Sequence, residues 1–180
     1  INEHVRLLVG SDLFLTPVKL SYNGPQPGQS EGGGTDAGPL AGRETVNVAL
    51  DTVVVRPGFY FETNIDAAPM RVVLGTRVDY FGEINQWVFN PRLSVMGSVT
   101  PTLRFKAAAG VYSQPPEFAE SNDTIGNENL EPIHSAHFGA GADWDFHPGM
   151  TVGLEGFYKP LWNRVVAIQG GVEPRFENGG

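Results

Sequence analysis

Two histidines and two aspartates in one stretch come closest to a catalytic or metal-binding arrangement. His134 and His137 are three positions apart and Asp143 and Asp145 two apart, in a segment whose apolar residues alternate. Positions three apart on a β-strand project to opposite faces, so the histidines do not converge on one metal ion. The aspartates share a face about 7 Å apart, but no third group accompanies them. The pattern favours ion pairs with basic residues over acid–base chemistry.

Other motifs for catalysis or cofactor binding are missing from the sequence. The glycine-rich stretch 32–36 (GGGTD) lacks the Lys-Ser/Thr of a phosphate-binding loop. No serine lies in a G-x-S-x-G setting, and the absence of cysteine removes thiolate nucleophiles and thiolate metal sites. We therefore expect no enzymatic activity, no catalytic residues, no metal site and no cofactor.

Composition narrows the class of protein further. The chain of 180 residues carries a net charge of −8 and has no run of lysine and arginine, which argues against nucleic acid as a partner. No stretch is apolar and long enough for a transmembrane helix, but strands of a membrane barrel alternate and would not show one. The start at Ile1, without a visible signal peptide, fits a mature or excised segment of one domain spanning 1–180.

Hydrophobic alternation with a period of two predicts about seven β-strands. The alternating segments are 5–16, 59–66, 70–80, 87–95, 103–111, 136–146 and 150–159. Tight turns at 67–69, 98–101 and 147–149 join some of them, and long links at 23–44 and 115–130 join others. The link at 83–85 is short where a long one is expected. Short turns at one end and long extracellular loops at the other are typical of outer-membrane barrels.

Three features indicate that the apolar face of these strands meets lipid. The strands approach the 9–11 residues that cross a bilayer at a tilt, and aromatic residues gather near their ends as in interfacial girdles. The opposite face carries charge in mid-strand, as a water-filled lumen would. Its charged residues are Arg71, Arg77, Asp79, Arg92, Arg104, Lys106, Asp143, Asp145 and Glu155.

An ordered series of short motifs points to a known family. GTRVDYF (75–81), NPRLS (90–94), TPTLRFKAAAGVYSQPP (100–116), GNENLEPIHS (126–135) and the hairpin 137–158 resemble the barrel of TonB-dependent outer-membrane receptors in order and spacing. RFENGG at 175–180 looks like the start of a further strand, and 1–57 fits less distinctly, as one strand plus a variable loop.

The resemblance implies a transmembrane antiparallel barrel of about 22 strands, of which this chain supplies about seven. It implies an importer for a scarce nutrient, of the ferric siderophore, cobalamin or glycan class, in the bacterial outer membrane. The implied partners are membrane lipid and lipopolysaccharide, the rest of the barrel, a plug domain through which TonB acts, and a small-molecule ligand. The charged face would then line the lumen.

The resemblance also implies that ligand is gripped partly by extracellular loops. On the loop 115–130 this nominates Phe118, Glu120, Asn122 and Asp123 as ligand contacts. Two other functions stay open on the sequence alone. The same architecture serves as a surface scaffold or adhesion barrel without transport, and a soluble β-sandwich binding module shows the same alternation.

Overall fold

A computed structural model describes residues 4–25, 45–124, 126–167 and 176–179. Seven antiparallel strands follow one another across a single sheet in chain order: β1 (Val5–Pro25), β2 (Thr45–Ala67), β3 (Met70–Phe81), β4 (Gln86–Thr100), β5 (Leu103–Gln114), β6 (Ile133–His147) and β7 (Met150–Tyr158). The short β8 (Leu161–Trp162) also pairs with β6, and β9 (Arg164–Ala167) pairs with β10 (Phe176–Gly179) in a separate ribbon. The predicted all-β antiparallel fold is confirmed, and the described strands do not close into a barrel. None of the helical residues described forms a helix long and apolar enough to cross a membrane.

The first two strands are much longer than the sequence predicts. They contain 21 and 23 residues, and their pairing continues from Leu13↔Pro57 to Pro25↔Thr45, beyond the last partner of β3 at Gly58. Residues 45–57, expected to belong to a variable loop region, are thus the first half of β2. Of the predicted loop 23–44, positions 23–25 belong to β1 and the others lie outside the described residues. Strands of this length exceed the residues that cross a bilayer at a tilt, and the β1–β2 ribbon projects beyond the end of β3.

The connections differ at the two ends of the sheet. Tight turns join β2 to β3, β4 to β5 and β6 to β7, all at one end, and the last of them uses Gly149 with φ of 79°. At the other end lie the short link 82–85 and the segment 115–132 with the helical turn α1 (Phe118–Ser121). We call 115–132 the rim loop.

The strand register sorts the side chains onto two faces. One row of cross-strand partners runs Asp66, Arg71, Met96, Lys106, Gly141 and Glu155. A row on the opposite side runs Leu74, Leu93, Ala109, Phe138 and Tyr158. We call the first side the ionic face and the second the apolar face.

No second layer covers the apolar face in the described part of the chain. Many of its large side chains are exposed, among them Leu93 at 41%, Phe89 at 61% and Leu154 at 80%. The buried hydrophobic cluster is small, consisting of Phe81, Ile84 and Val88 at the end with the long links. A soluble sheet buries one face against a core, so this exposure contradicts the β-sandwich alternative.

Candidate functional site

The densest polar cluster of the ionic face surrounds Arg77. Its Nη1 and Nη2 donate to the carboxylate of Asp12 at 2.8 and 2.9 Å, and its Nε donates to both oxygens of Asp79 at 2.8 and 2.9 Å. Gly58 lies beneath all three, and a Cβ at this position would stand 2.7 Å from an oxygen of each carboxylate. The cluster therefore needs glycine on the intervening strand β2.

Further ion pairs extend along the same face. They are Arg71–Asp66, Arg92–Glu62 at 3.5 Å, Arg104–Asp145 at 2.5 Å and Lys106–Glu155 at 2.7 Å. Asp145 also accepts a hydrogen bond from Thr151 at 2.6 Å. Asp143 faces Arg104 in the register, but the guanidinium turns to Asp145. All nine charged residues nominated from the sequence thus share one face, on strands β3 to β7. Their partners Asp12, Glu62 and Asp66 add strands β1 and β2 to this face.

Three of these ion pairs reach across a whole strand, and each crosses at a glycine. Gly58 separates Asp12 from the strand of Arg77, Gly75 separates Glu62 from Arg92, and Gly141 separates Lys106 from Glu155. A Cβ at Gly75 would stand 2.6 Å from Arg92 Nε, and one at Gly141 would stand 3.0 Å from Lys106 Cε. The bare backbone lets long side chains lie flat on the sheet and meet partners two strands away.

The two histidines have separate surroundings. The ring of His137 contacts that of Tyr112 at a tilt, with centroids 4.4 Å apart. His134 stacks against Trp162 with centroids 5.5 Å apart, and its Nδ1 lies 2.9 Å from Ser113 Oγ. Within the described residues, no group of three or more His, Asp or Glu side chains is arranged to hold a metal ion.

The rim loop is internally hydrogen bonded, which divides the four nominated ligand residues. Glu120 accepts from the backbone N–H of Glu117 at 2.9 Å, closing a capping box on α1. Asn122 is buried, and its Oδ1 accepts from the backbone N–H of Thr124 at 2.9 Å. Asp123 is exposed and Phe118 is half-buried. Two of the four side chains therefore shape the loop, and two present surface.

Asparagine side chains fasten the rim loop to the β9–β10 ribbon. Asn127 Nδ2 donates to the carbonyl of Phe176 at 2.7 Å. Asn178 accepts from the N–H of Glu131 at 2.8 Å and donates to its carbonyl at 3.0 Å. Sequence reasoning missed this clamp because its members lie about 50 positions apart; the Asn-rich motifs GNEN and ENGG were the available signal.

The link 82–85 folds over the ionic face of β2. A Cβ at Gly82 would clash with the carbonyl oxygen of Val55, and the side chain of Glu83, 1% exposed, forms an ion pair with Arg56. Next to the link, Gln86 Nε2 donates to the carbonyl of the fully buried Leu130 at 3.4 Å. The rim loop and this link are therefore packed together at one end of the sheet.

Comparison with known proteins gives this geometry a family. The model described as TonB dependent receptor-like, beta-barrel, matches residues 4–178. A mutant of the ferric enterobactin receptor from Pseudomonas aeruginosa is similar at a TM-score of 0.72 and 17% identity, over 97% of this chain and 28% of that one. The siderophore receptor PirA from Pseudomonas aeruginosa is similar at a TM-score of 0.61 and 21% identity, over 71% of this chain and 26% of that one. The copper transporter OprC is similar at a TM-score of 0.60 and 10% identity, over 92% of this chain and 29% of that one. No curated protein matches the chain.

The chain spans roughly a quarter of the length of these solved proteins. Members of the matched family are transporters of the bacterial outer membrane and not enzymes, which confirms the predicted location and the expectation that the chain is not an enzyme. Since the family match extends over nearly the whole chain, this protein belongs to the TonB-dependent receptors, and its open sheet corresponds to part of their β-barrel.

Proposed function

We propose that the chain is a section of the barrel wall of an importer for a ferric siderophore, with the ionic face toward the lumen and the apolar face toward lipid. The observation that carries this proposal is the segregation of the two faces. Ion pairs occupy one side of the strands, and most of the exposed aromatic and aliphatic side chains occupy the other, with Met96, Tyr112 and Phe157 among the exceptions. The pair Lys19–Asp51 lies on the projecting ribbon, beyond the part of the sheet that crosses the membrane.

The ionic face is suited to line a passage because its basic side chains are paired with carboxylates within the wall. Arg77, Arg92, Arg104 and Lys106 each have a carboxylate partner on the same sheet. A charge left without a partner costs free energy, so a wall that needed charges from the plug would oppose its displacement. A self-paired wall lets a plug domain, on which TonB acts in the complete receptor, move without leaving charges unpaired.

The ligand class rests on the similar structures, two of which are siderophore receptors. In this proposal the rim loop forms part of the ligand funnel. Phe118 and Asp123 contact the ligand directly, because they present surface, whereas Glu120 and Asn122 act by holding the loop in shape.

Two neighbouring alanines provide a matched test of which face meets lipid. Ala107 lies on the apolar face and Ala108 on the ionic face of β5. Ala107→Cys and Ala108→Cys, each in a cysteine-free complete receptor in lipid vesicles, would carry a nitroxide label. We expect oxygen, which partitions into lipid, to relax the label at position 107 more strongly than at position 108. Equal relaxation, or the reverse order, would refute the assignment of faces.

Transport is tested by uptake of radioactive iron under iron limitation. Cells lacking their own siderophore receptors would express the complete receptor, with and without TonB, and receive a panel of ferric siderophores. We expect TonB-dependent uptake of at least one, with Asp123→Ala weakening uptake more than Glu128→Ala, an exposed carboxylate of the same loop. A correctly inserted receptor that imports none of them would support the surface scaffold instead.

A further inference from the structure

A groove of about 490 Å³ opens on the apolar face, across strands β2 to β6. Its floor consists of short side chains, Thr76, Pro91 and Ala109. Thr76 and Pro91 are direct cross-strand partners. Each of the five strands has a neighbour on both sides, so the groove lies inside the sheet and not at an open edge.

Larger apolar side chains form the walls of the groove. Phe61, Phe89 and Phe138 stand on its sides, and Leu74 and Leu93 close the end toward the short turns. The charged residue at this level, Arg92, extends over the ionic face to Glu62. The groove therefore offers an almost entirely apolar lining to an occupant.

A proline in mid-strand accounts for the groove. The register between β4 and β5 begins at Arg92↔Gly110 and runs from there toward the short turns. Pro91, the next residue, has no N–H to donate to a neighbouring strand. Beyond it a side-chain bond joins the strands, in which Ser113 Oγ donates to Asn90 Oδ1 at 2.7 Å.

The depth of the groove places it in the outer leaflet. Thr76 is six residues beyond Met70, where β3 leaves its short turn. At roughly 3.3 Å per residue and a tilt of about 40°, that is about 15 Å along the membrane normal, past the middle of an apolar band about 25 Å tall. The short turns of such barrels are periplasmic, so the groove opens on the half of the membrane built from lipopolysaccharide.

We propose that this groove binds an acyl chain of an outer-leaflet lipopolysaccharide molecule. The inference rests on the proposed orientation of the apolar face, because the groove is continuous with the lipid-contacting surface of an outer-membrane protein. A hydrocarbon chain is complementary to an open apolar depression with aromatic sides and a floor of short side chains. The groove lining would hold one acyl chain by close van der Waals packing, in place of looser contacts with mobile lipid.

The test fills the groove. Ala109→Phe places a ring on its floor, and Ala140→Phe adds the same ring to the apolar face outside it. The complete receptor and both variants would be purified from outer membranes in mild detergent, and bound lipopolysaccharide counted by native mass spectrometry. We expect Ala109→Phe to lose bound lipopolysaccharide at least several-fold, with Ala140→Phe equal to the wild type.

Folding is checked by heat-modifiable migration on a gel, and Ala109→Leu replaces Ala109→Phe if the latter does not insert. Equal lipopolysaccharide in all variants would overturn the proposal, as would a groove-dependent loss of phospholipid alone. Neither outcome affects the label at position 107. A label at position 107 shielded from oxygen would instead contradict the proposed orientation of the faces, so the two failures are distinguishable.

Discussion

Gly58→Ala should destabilise the barrel, although alanine generally suits a strand better than glycine. The new Cβ would stand 2.5 Å from Arg77 Nη2 and 2.7 Å from oxygens of both Asp12 and Asp79. Ordinary contacts of a Cβ are longer by most of an ångström, so the three charged groups must retreat together. Hydrogen bonds that now measure 2.8 and 2.9 Å between Arg77 and Asp79 would then fall outside the useful range.

The magnitude follows from the burial of the Arg77–Asp79 contact. Charge-assisted hydrogen bonds contribute about 1.5–3 kcal/mol, and the side chains are 32% and 15% exposed, so we expect the loss to cost about 1–2 kcal/mol. Removing a glycine from a strand returns about 0.5–1 kcal/mol. The net change is a destabilisation of up to about 1.5 kcal/mol.

Gly139 provides the matched control. It also lies on the ionic face, but the nearest atom to a Cβ there is the carbonyl oxygen of Gly156 at 3.9 Å. Gly139→Ala should therefore stabilise the barrel by about 0.5–1 kcal/mol. Urea unfolding of the complete receptor in lipid vesicles measures both variants. The reasoning is refuted if Gly58→Ala is as stable as Gly139→Ala, or if it destabilises equally in an Arg77→Met background, where the crowded guanidinium is gone.

Three further substitutions test the rim loop and the groove. Leu130→Ala removes a fully buried side chain and should cost about 2–4 kcal/mol in the local stability of the rim loop, seen as faster hydrogen exchange at 126–131 with strands β3 to β6 unchanged. Asn178→Ala deletes both of the side-chain bonds to Glu131 and should speed protease cleavage within 117–129; unchanged cleavage would argue that the clamp is dispensable. Thr76→Val replaces a buried hydroxyl that has no hydrogen-bond partner by a group of the same shape. It should raise the free energy of unfolding by up to about 1 kcal/mol in the same urea assay. A clear loss of stability would show that the hydroxyl has a partner in the membrane.

The sequence predicts which face the charged strand residues occupy, but it does not predict the roles of the loop residues. Arg71, Arg77 and Asp79 are placed on one face by their spacing alone, because side chains alternate along any strand. The role of Asn122 as a loop-shaping residue is not predictable in this way. It depends on a turn that buries the side chain and directs Oδ1 to the N–H of Thr124, and the residue type alone permits ligand contact equally well.

By itself the sequence determined the strands β3 to β7, their tight turns and the composition of their two faces, because a period of two is a local property of the backbone. Only the tertiary structure decided which residues meet across strands. Asp12 and Arg77 lie 65 positions apart and are joined over Gly58, which depends on the register of three strands. The length of β1 and β2, and the groove where Pro91 ends the pairing of β4 with β5, depend on the neighbouring strand in the same way. Alternation states which side chains share a face, whereas pairing partners, glycine crossings and cavities are set by contacts between distant segments.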